Sequence, residues 1–212
     1  MGRLDYNYIF WDNDGVLVDT EGLYFQASRE ALAQIGLTLS AEQFASISLA
    51  SGRSVFELAT DDREVMEGLR HWRNERYSAL LAGQDLVLPG VRETLRQLAK
   101  SMDMAIVTSS RRDHFDLIHA GSGLLHYFAF ILCREDYREA KPDPEPYLLS
   151  LQRSGREARH CLVIEDSVRG LMAAKAAGLE CWVIPSCQTR GQGFAAADRI
   201  LGGIGELPEL LS

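Results

Sequence analysis

Two carboxylates, Asp12 and Asp14, stand one residue apart directly after the apolar run Tyr8-Ile9-Phe10-Trp11. On extended chain the side chains of residues i and i+2 share a face. One of the pair can therefore attack a substrate while its neighbour moves protons. Three further stretches carry reactive groups. Met104-Ala105-Ile106-Val107 runs into the hydroxyls Thr108, Ser109 and Ser110 and then Arg111. Lys141 precedes Pro142 and Pro144, which block helix continuation. Cys161-Leu162-Val163-Ile164 runs into Glu165 and Asp166. A phosphate monoester resists attack by anions, so its hydrolysis needs charge neutralisation, an aligned nucleophile and a proton for the leaving oxygen. Acids, hydroxyls and one lysine at the ends of apolar runs supply all three, and clustered oxygens suit a hard cation.

Five short apolar runs, at residues 7–11, 103–107, 129–132, 161–164 and 181–184, read as buried parallel strands. Helical stretches separate the last four, including residues 91–99 and 144–153, which predicts an α/β fold with a doubly wound parallel sheet. Ligands of such sheets sit beyond the carboxyl ends of the strands. Asp12, Thr108, Glu165 and Asp166 fall at such ends and Lys141 in the loop after the third strand, so one cleft can collect them. Between the first two strands lie roughly seventy residues without a strand pattern, far longer than an ordinary crossover. They read as an inserted, all-helical cap. Tyr24, Ala27, Ala31 and Ile35 recur at helical spacing, Gly36 suits a helix stop, and Ser40 with Gln43 makes a capping box. A longer helix near 61–82 carries Met66, Leu69, Trp72, Tyr77, Leu80 and Leu81, a stripe that reads as core. The expected division is a catalytic core of residues 1–18 and 86–212 and a cap of residues 19–85. The chain end reads as a turn into a short terminal helix.

The pattern D-x-D-G-x-x-x-D-T from Asp12 to Thr20, with the other three stretches in the same order, resembles the haloacid dehalogenase-like superfamily, most of whose members hydrolyse phosphate monoesters with magnesium. The resemblance implies that Asp12 is the nucleophile, forming an aspartyl-phosphate, and that Asp14 is general acid for the leaving alcohol and then base for water. Thr108 would hydrogen-bond the phosphoryl oxygens, and Lys141 would lie against Asp12 and the phosphate. Asn13 would offer a backbone amide to the phosphate, Gly15 the tight turn after the acids, and Ser109 and Ser110 further donors. Mg2+ would take a side-chain oxygen of Asp12, the backbone carbonyl of Asp14 and the side chain of Asp166, with Glu165 binding it directly or from behind. Two residues depart from the common pattern: Trp11 stands where Phe is usual, and Asn13 where an apolar residue is usual.

Asp14 argues against the dehalogenase branch, which lacks the second aspartate. Between Asp19 and Leu88 there is no lysine, which argues against the phosphonatase branch with its Schiff-base lysine. The sugar phosphomutase branch carries histidine five residues beyond the cap-side aspartate, where this chain has Tyr24. A phosphatase acting on a small phosphorylated metabolite, such as a sugar phosphate, is the favoured reading; a phosphomutase and a non-catalytic binding protein of the same fold are the alternatives. The segment Leu49 to Ser54 resembles a Gly/Arg cap loop of relatives acting on sugar phosphates, so Arg53 is placed over the cleft to hold a second phosphate or polyol hydroxyls, with Arg111 facing the same pocket.

The hydrophobic fraction of 46% and charged fraction of 25% are ordinary for a globular protein. A formal charge of −8 disfavours nucleic acid as partner. No apolar run reaches the length of a membrane span, and the start Met1 to Tyr6 lacks a signal-peptide core. The expectation is a cytoplasmic monomer. Cys133, Cys161, Cys181 and Cys187 show no C-x-x-C spacing and read as reduced thiols in or near the core.

Overall fold

The computed structural model describes residues 5–212. The expectations that rest on residues 1–4, part of the core boundary and of the reading of the chain start, lie outside the described residues. Strand β1 (Tyr8–Trp11) is buried along its whole length and central. Around it β2 (Asp103–Val107), β3 (Ile131–Leu132), β4 (Cys161–Glu165), β5 (Glu180–Val183) and β6 (Arg199–Ile200) form one sheet of order β3-β2-β1-β4-β5-β6. Every pairing is parallel. Strand alternation divides the core in two. Ile9, Trp11, Met104, Ile106, Leu162 and Ile164 join one apolar cluster, while Tyr8, Phe10, Ala105, Val107, Cys161 and Val163 join the other. A sheet buried on both faces needs apolar residues at every position, which is why these strands read as continuous apolar runs.

Helices cover both faces: α4 (Val91–Leu98), α5 (Arg112–His119), α6 (Glu145–Ser154), α7 (Val168–Ala176) and the terminal α8 (Leu207–Leu210) follow the insertion, which carries the first three helices. β6 was not expected from sequence, because an edge strand of two residues is too short to show alternation. Cys187 departs from expectation too. It is exposed on the loop after β5, whereas Cys133, Cys161 and Cys181 are buried; all four are free thiols.

The insertion is helical. It comprises α1 (Glu21–Ala33), α2 (Ala41–Phe44) running into a π-helical turn Ala45–Ala50, a 3-10 turn Val55–Leu58, and α3 (Arg63–Leu81). Gly36 follows α1 with φ of +76°, the left-handed conformation of a helix stop. Ile35 lies beyond the end of α1 and is 46% exposed, not part of a buried stripe. Ser40 and Gln43 form the capping box: Gln43 N donates to Ser40 Oγ at 3.2 Å and Ser40 N to Gln43 Oε1 at 2.9 Å. The apolar stripe of α3 serves two bodies. Leu69, with Met66 and Trp72, packs in the insertion's own cluster around Phe44 and Phe56, while Tyr77, Leu81 and Leu80 pack against the main core. The two connections run side by side, Asp19 N donating to Leu86 O at 2.8 Å and Leu88 N to Leu17 O at 3.0 Å. Among the described residues no helix is long and apolar enough to cross a membrane.

Candidate active site

Sheet order places the chemistry. The chain leaves β1 toward β2 on one side and returns to β4 on the other, so the crevice beyond their carboxyl ends is the point where winding reverses. Asp12 N donates to Ile164 O at 2.9 Å, which sets the Asp12 side chain beside that of Glu165. Lys141 arrives from the loop after β3 and uses all three ammonium donors. They reach Asp12 Oδ1 at 2.6 Å, Glu165 Oε1 at 2.7 Å and the carbonyl of Val107 at 2.8 Å. Both ion pairs are nearly excluded from water, with the Lys141 side chain 4% exposed. Asp12 Oδ2 accepts no hydrogen bond from the described residues.

Three buried carboxylates, those of Asp12, Glu165 and Asp166, offer oxygens within 4.8 Å of one another. Such crowding away from water disfavours the charged forms. Burial and Glu165 push the Asp12 carboxyl up to about 8 against the pull of Lys141. Burial, then Glu21, Asp12 and Glu165, hold Asp166 well above the usual carboxylate range. Burial works against the Lys141 ammonium, yet Asp12 and Glu165 raise its pKa and keep it charged. One lysine does not balance this set, which is the charge pattern a divalent cation satisfies. Glu165 is the most committed of the three. Its Oε1 also accepts from the Tyr147 hydroxyl at 2.7 Å, and its Oε2 from Ser167 Oγ at 3.2 Å.

Asp14 lies across the cleft floor. Its carboxylate meets Thr20 Oγ1 at 2.5 Å, Ser110 Oγ at 2.7 Å, Thr108 Oγ1 at 3.1 Å and Asn13 Nδ2 at 3.4 Å. Thr108 therefore faces Asp14 from the end of β2, while its Oγ1 also accepts from Ser110 N at 3.0 Å; the Tyr137 hydroxyl holds its carbonyl at 2.8 Å. Gly15 has φ of +82°, and a Cβ there would collide with the Asp166 carboxylate, so both turn and close approach require glycine.

Above the floor a cleft of about 980 Å³ opens between the insertion and the core, lined by Asp14, Ser109, Ser110, Arg53 and Arg111 among the residues expected from sequence. Arg53 is at its rim, 67% exposed and paired with Glu57 through Nε at 2.8 Å. Arg111 is likewise paired, with Asp113 at 2.9 Å.

Several site residues escaped the sequence reading. Arg73 on α3 is mostly desolvated, lies over the Tyr24 ring at 4.4 Å and donates to the Tyr24 hydroxyl at 2.5 Å, with no carboxylate partner among the described residues. Arg169 on α7 donates to the carbonyl of Lys141 at 3.1 Å and lies against Gly52 of the insertion, where a Cβ would fall 2.7 Å from its Cζ. Glu21 at the start of α1 accepts from Ser186 Oγ at 2.9 Å and is pushed up to about 7, chiefly by burial. Thr20 and Glu21 directly follow Asp19, so their place in the motif was a signal for them. Tyr147 and Arg73 had none, since an aromatic or a charge on a helix reads as core or solvated face.

Gly170, on the first turn of α7, is the packing condition for this arrangement. A Cβ there would fall inside the Glu165 carboxyl group, which Lys141, Tyr147 and Ser167 hold in place. Gly170→Ala should destabilise the protein by about 1–3 kcal/mol or more, the cost of overpacking a rigid site. Thermal unfolding checks this; a melting temperature equal to wild type would show that Glu165 is free to move.

Residues 9–184 match the family of haloacid dehalogenase-like hydrolases. Protein CbbY of Rhodobacter capsulatus is 33% identical over 205 residues, covering 90% of each chain. A phosphorylated carbohydrates phosphatase of Thermotoga maritima is 30% identical, covering 81% of this chain and 82% of that one. The crystal structure of a CbbY mutant from Rhodobacter sphaeroides, in complex with xylulose-(1,5)-bisphosphate, superposes with a TM-score of 0.83 at 26% identity, covering 95% of this chain and 96% of that one. Matched in fold and along nearly its whole length, the chain belongs to the haloacid dehalogenase-like hydrolases, on their phosphatase-like branch that cleaves phosphoric monoesters.

Proposed function

We propose that the protein is a magnesium-dependent phosphatase that hydrolyses a small phosphorylated metabolite, a sugar phosphate or related compound, through an aspartyl-phosphate on Asp12. The observation that carries this reading is the buried Asp12–Lys141–Glu165 cluster opposite Asp14 at the base of an arginine-lined cleft. Asp12 Oδ2 attacks phosphorus and the ester P–O bond breaks. Asp14 gives its proton to the departing alkoxide, then takes one from the water that cleaves the aspartyl-phosphate and releases inorganic phosphate. Lys141 keeps Asp12 aligned and offsets the charge brought by the phosphoryl group, while Thr108, Ser110 and the Asn13 amide bind its oxygens.

A magnesium ion fits the donor set, with Asp12, the Asp14 carbonyl and Asp166 as its holders. When bound it supplies Lewis-acid neutralisation of the phosphoryl charge. Glu165, whose oxygens are taken by Lys141, Tyr147 and Ser167, acts from behind by holding Lys141. Residues 19–85 act as the cap that closes over the substrate, and Arg73, more than Arg53, meets its remote part. Arg73 donates through Nε to Asn74 Oδ1 at 2.9 Å and through Nη1 to the Tyr24 hydroxyl but has no acid partner among the described residues, so it is the stronger anion binder, because Arg53 must first leave Glu57. The phosphomutase reading loses ground, since Tyr24 stands in the place of that branch's histidine with its hydroxyl bound to Arg73. A monomer in the cytoplasm remains part of the proposal.

Phosphate release from p-nitrophenyl phosphate and a panel of sugar phosphates, with Mg2+ and with EDTA, tests the proposal. Release that requires the metal is expected; none from any substrate by folded protein would refute it. Mg2+ should also raise the melting temperature, by about 2.7 kcal/mol of stabilisation at a hundredfold excess over Kd, and Asp166→Asn should abolish that rise. For the best sugar phosphate, Arg73→Ala should lower kcat/KM about 10- to 100-fold, the loss of one charge-assisted contact. Arg53→Ala should stay within about threefold of wild type, since surface pairs contribute little. The reverse ranking would return substrate recognition to Arg53.

A further inference from the structure

Asn13 occupies the position between the two catalytic carboxylates, yet its side chain turns away from the cleft into the core, where it has no exposed surface. There Asn13 Oδ1 meets His119 Nε2 at 2.8 Å, and His119 Nδ1 meets Ser122 Oγ at 3.0 Å. Leu124 N donates to the same Ser122 Oγ at 3.2 Å. His119 and Ser122 are 4% and 3% exposed, in the apolar layer that includes Phe115, Ile118 and Leu124. Buried polar side chains in such a layer are costly unless each is satisfied, and here every link is made.

The direction of the chain follows from its end at the cleft. Asn13 donates from Nδ2 to Asp14 Oδ2 at 3.4 Å, because a carboxylate accepts and an amide oxygen cannot give. Oδ1 must then face His119, whose Nε2 must carry the hydrogen, which leaves Nδ1 to accept from Ser122 Oγ at 3.0 Å, the shorter of that hydroxyl's two acceptors, the other being the His119 carbonyl at 3.3 Å. Burial pushes His119 down to about 4, so the ring is neutral and carries one N–H, as this order requires. With the Ser122 proton on Nδ1, the donors of Leu124, Ser122, His119 and Asn13 run in one direction, toward Asp14.

We infer that the buried chain Ser122–His119–Asn13 is a positioning device for Asp14, making His119 and Asn13 positioning residues for proton transfer. This inference rests on the acid and base role proposed for Asp14. With His119 in place the Asn13 amide has one orientation; without it, either end of the amide can face Asp14, and an oxygen there repels the carboxylate. The Asn13 carbonyl also accepts from Leu17 N at 2.8 Å and Val18 N at 3.1 Å, so the same anchor holds the turn that carries Asp14.

The test compares an alkyl phosphate, whose departure needs a proton, with p-nitrophenyl phosphate, whose departure does not. His119→Leu should lower kcat for the alkyl phosphate about tenfold more than for p-nitrophenyl phosphate, with KM unchanged, as expected for a loss confined to proton transfer. His119→Gln, which can still donate to Asn13, should recover most of the loss. Asn13→Leu with His119→Leu removes both polar partners together, so its stability should return toward wild type while the alkyl-phosphate deficit persists. Nitrogen NMR of the wild-type imidazole should show the Nε2–H tautomer. Equal losses on both substrates, full recovery of alkyl-phosphate turnover in the double variant, or the Nδ1–H tautomer would each overturn the inference. Asp14→Ala is the control that separates the two readings. A selective loss in Asp14→Ala without one in the His119 variants removes only the positioning chain, whereas equal losses in Asp14→Ala remove the acid role and the chain with it.

Discussion

Asp12→Asn should abolish turnover, by about three powers of ten or more, while the protein melts at or above the wild-type temperature. The substitution removes the proposed attacking oxygen and a proposed metal ligand at once. It should leave the fold intact for a reason visible in the site. The Asn carbonyl can still accept from Lys141, which keeps Glu165 as its ionic partner, and one of three crowded buried carboxylates is gone. Phosphate release under Mg2+ and a thermal melt are the measurements. Activity above about a tenth of wild type would mean that Asp12 is not the nucleophile.

Lys141→Met should fail in both respects, losing activity and about 3–5 kcal/mol of stability, the cost of breaking a buried ion pair and leaving its partner uncompensated. Its side chain is 4% exposed and its partners Asp12 and Glu165 are 12% and 1% exposed, so water cannot replace it. The deficit should depend on pH, and its sign follows from Asp12. Even with Lys141 present, Asp12 is raised from 3.8 to about 8, so between those values the folded protein binds more protons than the unfolded chain. Stability on this account falls as pH rises through that window. Without the lysine the Asp12 carboxyl has lost its counter-charge, and the metal-free variant should be closest to wild type near pH 4 and furthest from it at pH 8 and above. Urea unfolding in EDTA across that range checks the prediction. A deficit that shrinks with rising pH would show that Lys141 acts through packing and not through its charge.

The parts of the site that lie within one continuous stretch are legible in the sequence by itself. Asp12 to Thr20, the hydroxyls after Val107 and the Glu165–Asp166 pair are recognisable because each sits where an apolar strand ends and local spacing alone puts it there, and Lys141, in the loop after β3, is recognisable by the prolines that follow it. The doubly wound class and the helical insertion are equally open to reading. A strand buried on both faces must be apolar throughout, and an insertion without alternation leaves helix as its pattern. The Ser40–Gln43 capping box is a local signal of the same kind.

Groups that matter through a distant partner are not legible there. Tyr147 on Glu165, Tyr137 on the Thr108 carbonyl, Arg169 between Lys141 and Gly52, and Arg73 against Tyr24 each depend on two elements far apart in the chain. No spacing encodes such a meeting. Arg53 and Arg73 illustrate the difference: both are arginines of a helical insertion, and only packing reveals that one is exposed beside Glu57 and the other desolvated without an acid. Asn13 is the sharpest case, since its departure from the usual apolar residue is plain in the sequence while His119, the residue that satisfies it, lies 106 positions away. Strand-end chemistry is written in local order because parallel strands bring their carboxyl ends together whatever else the chain does; charge balance, burial and hydrogen-bond direction arise only when those ends meet.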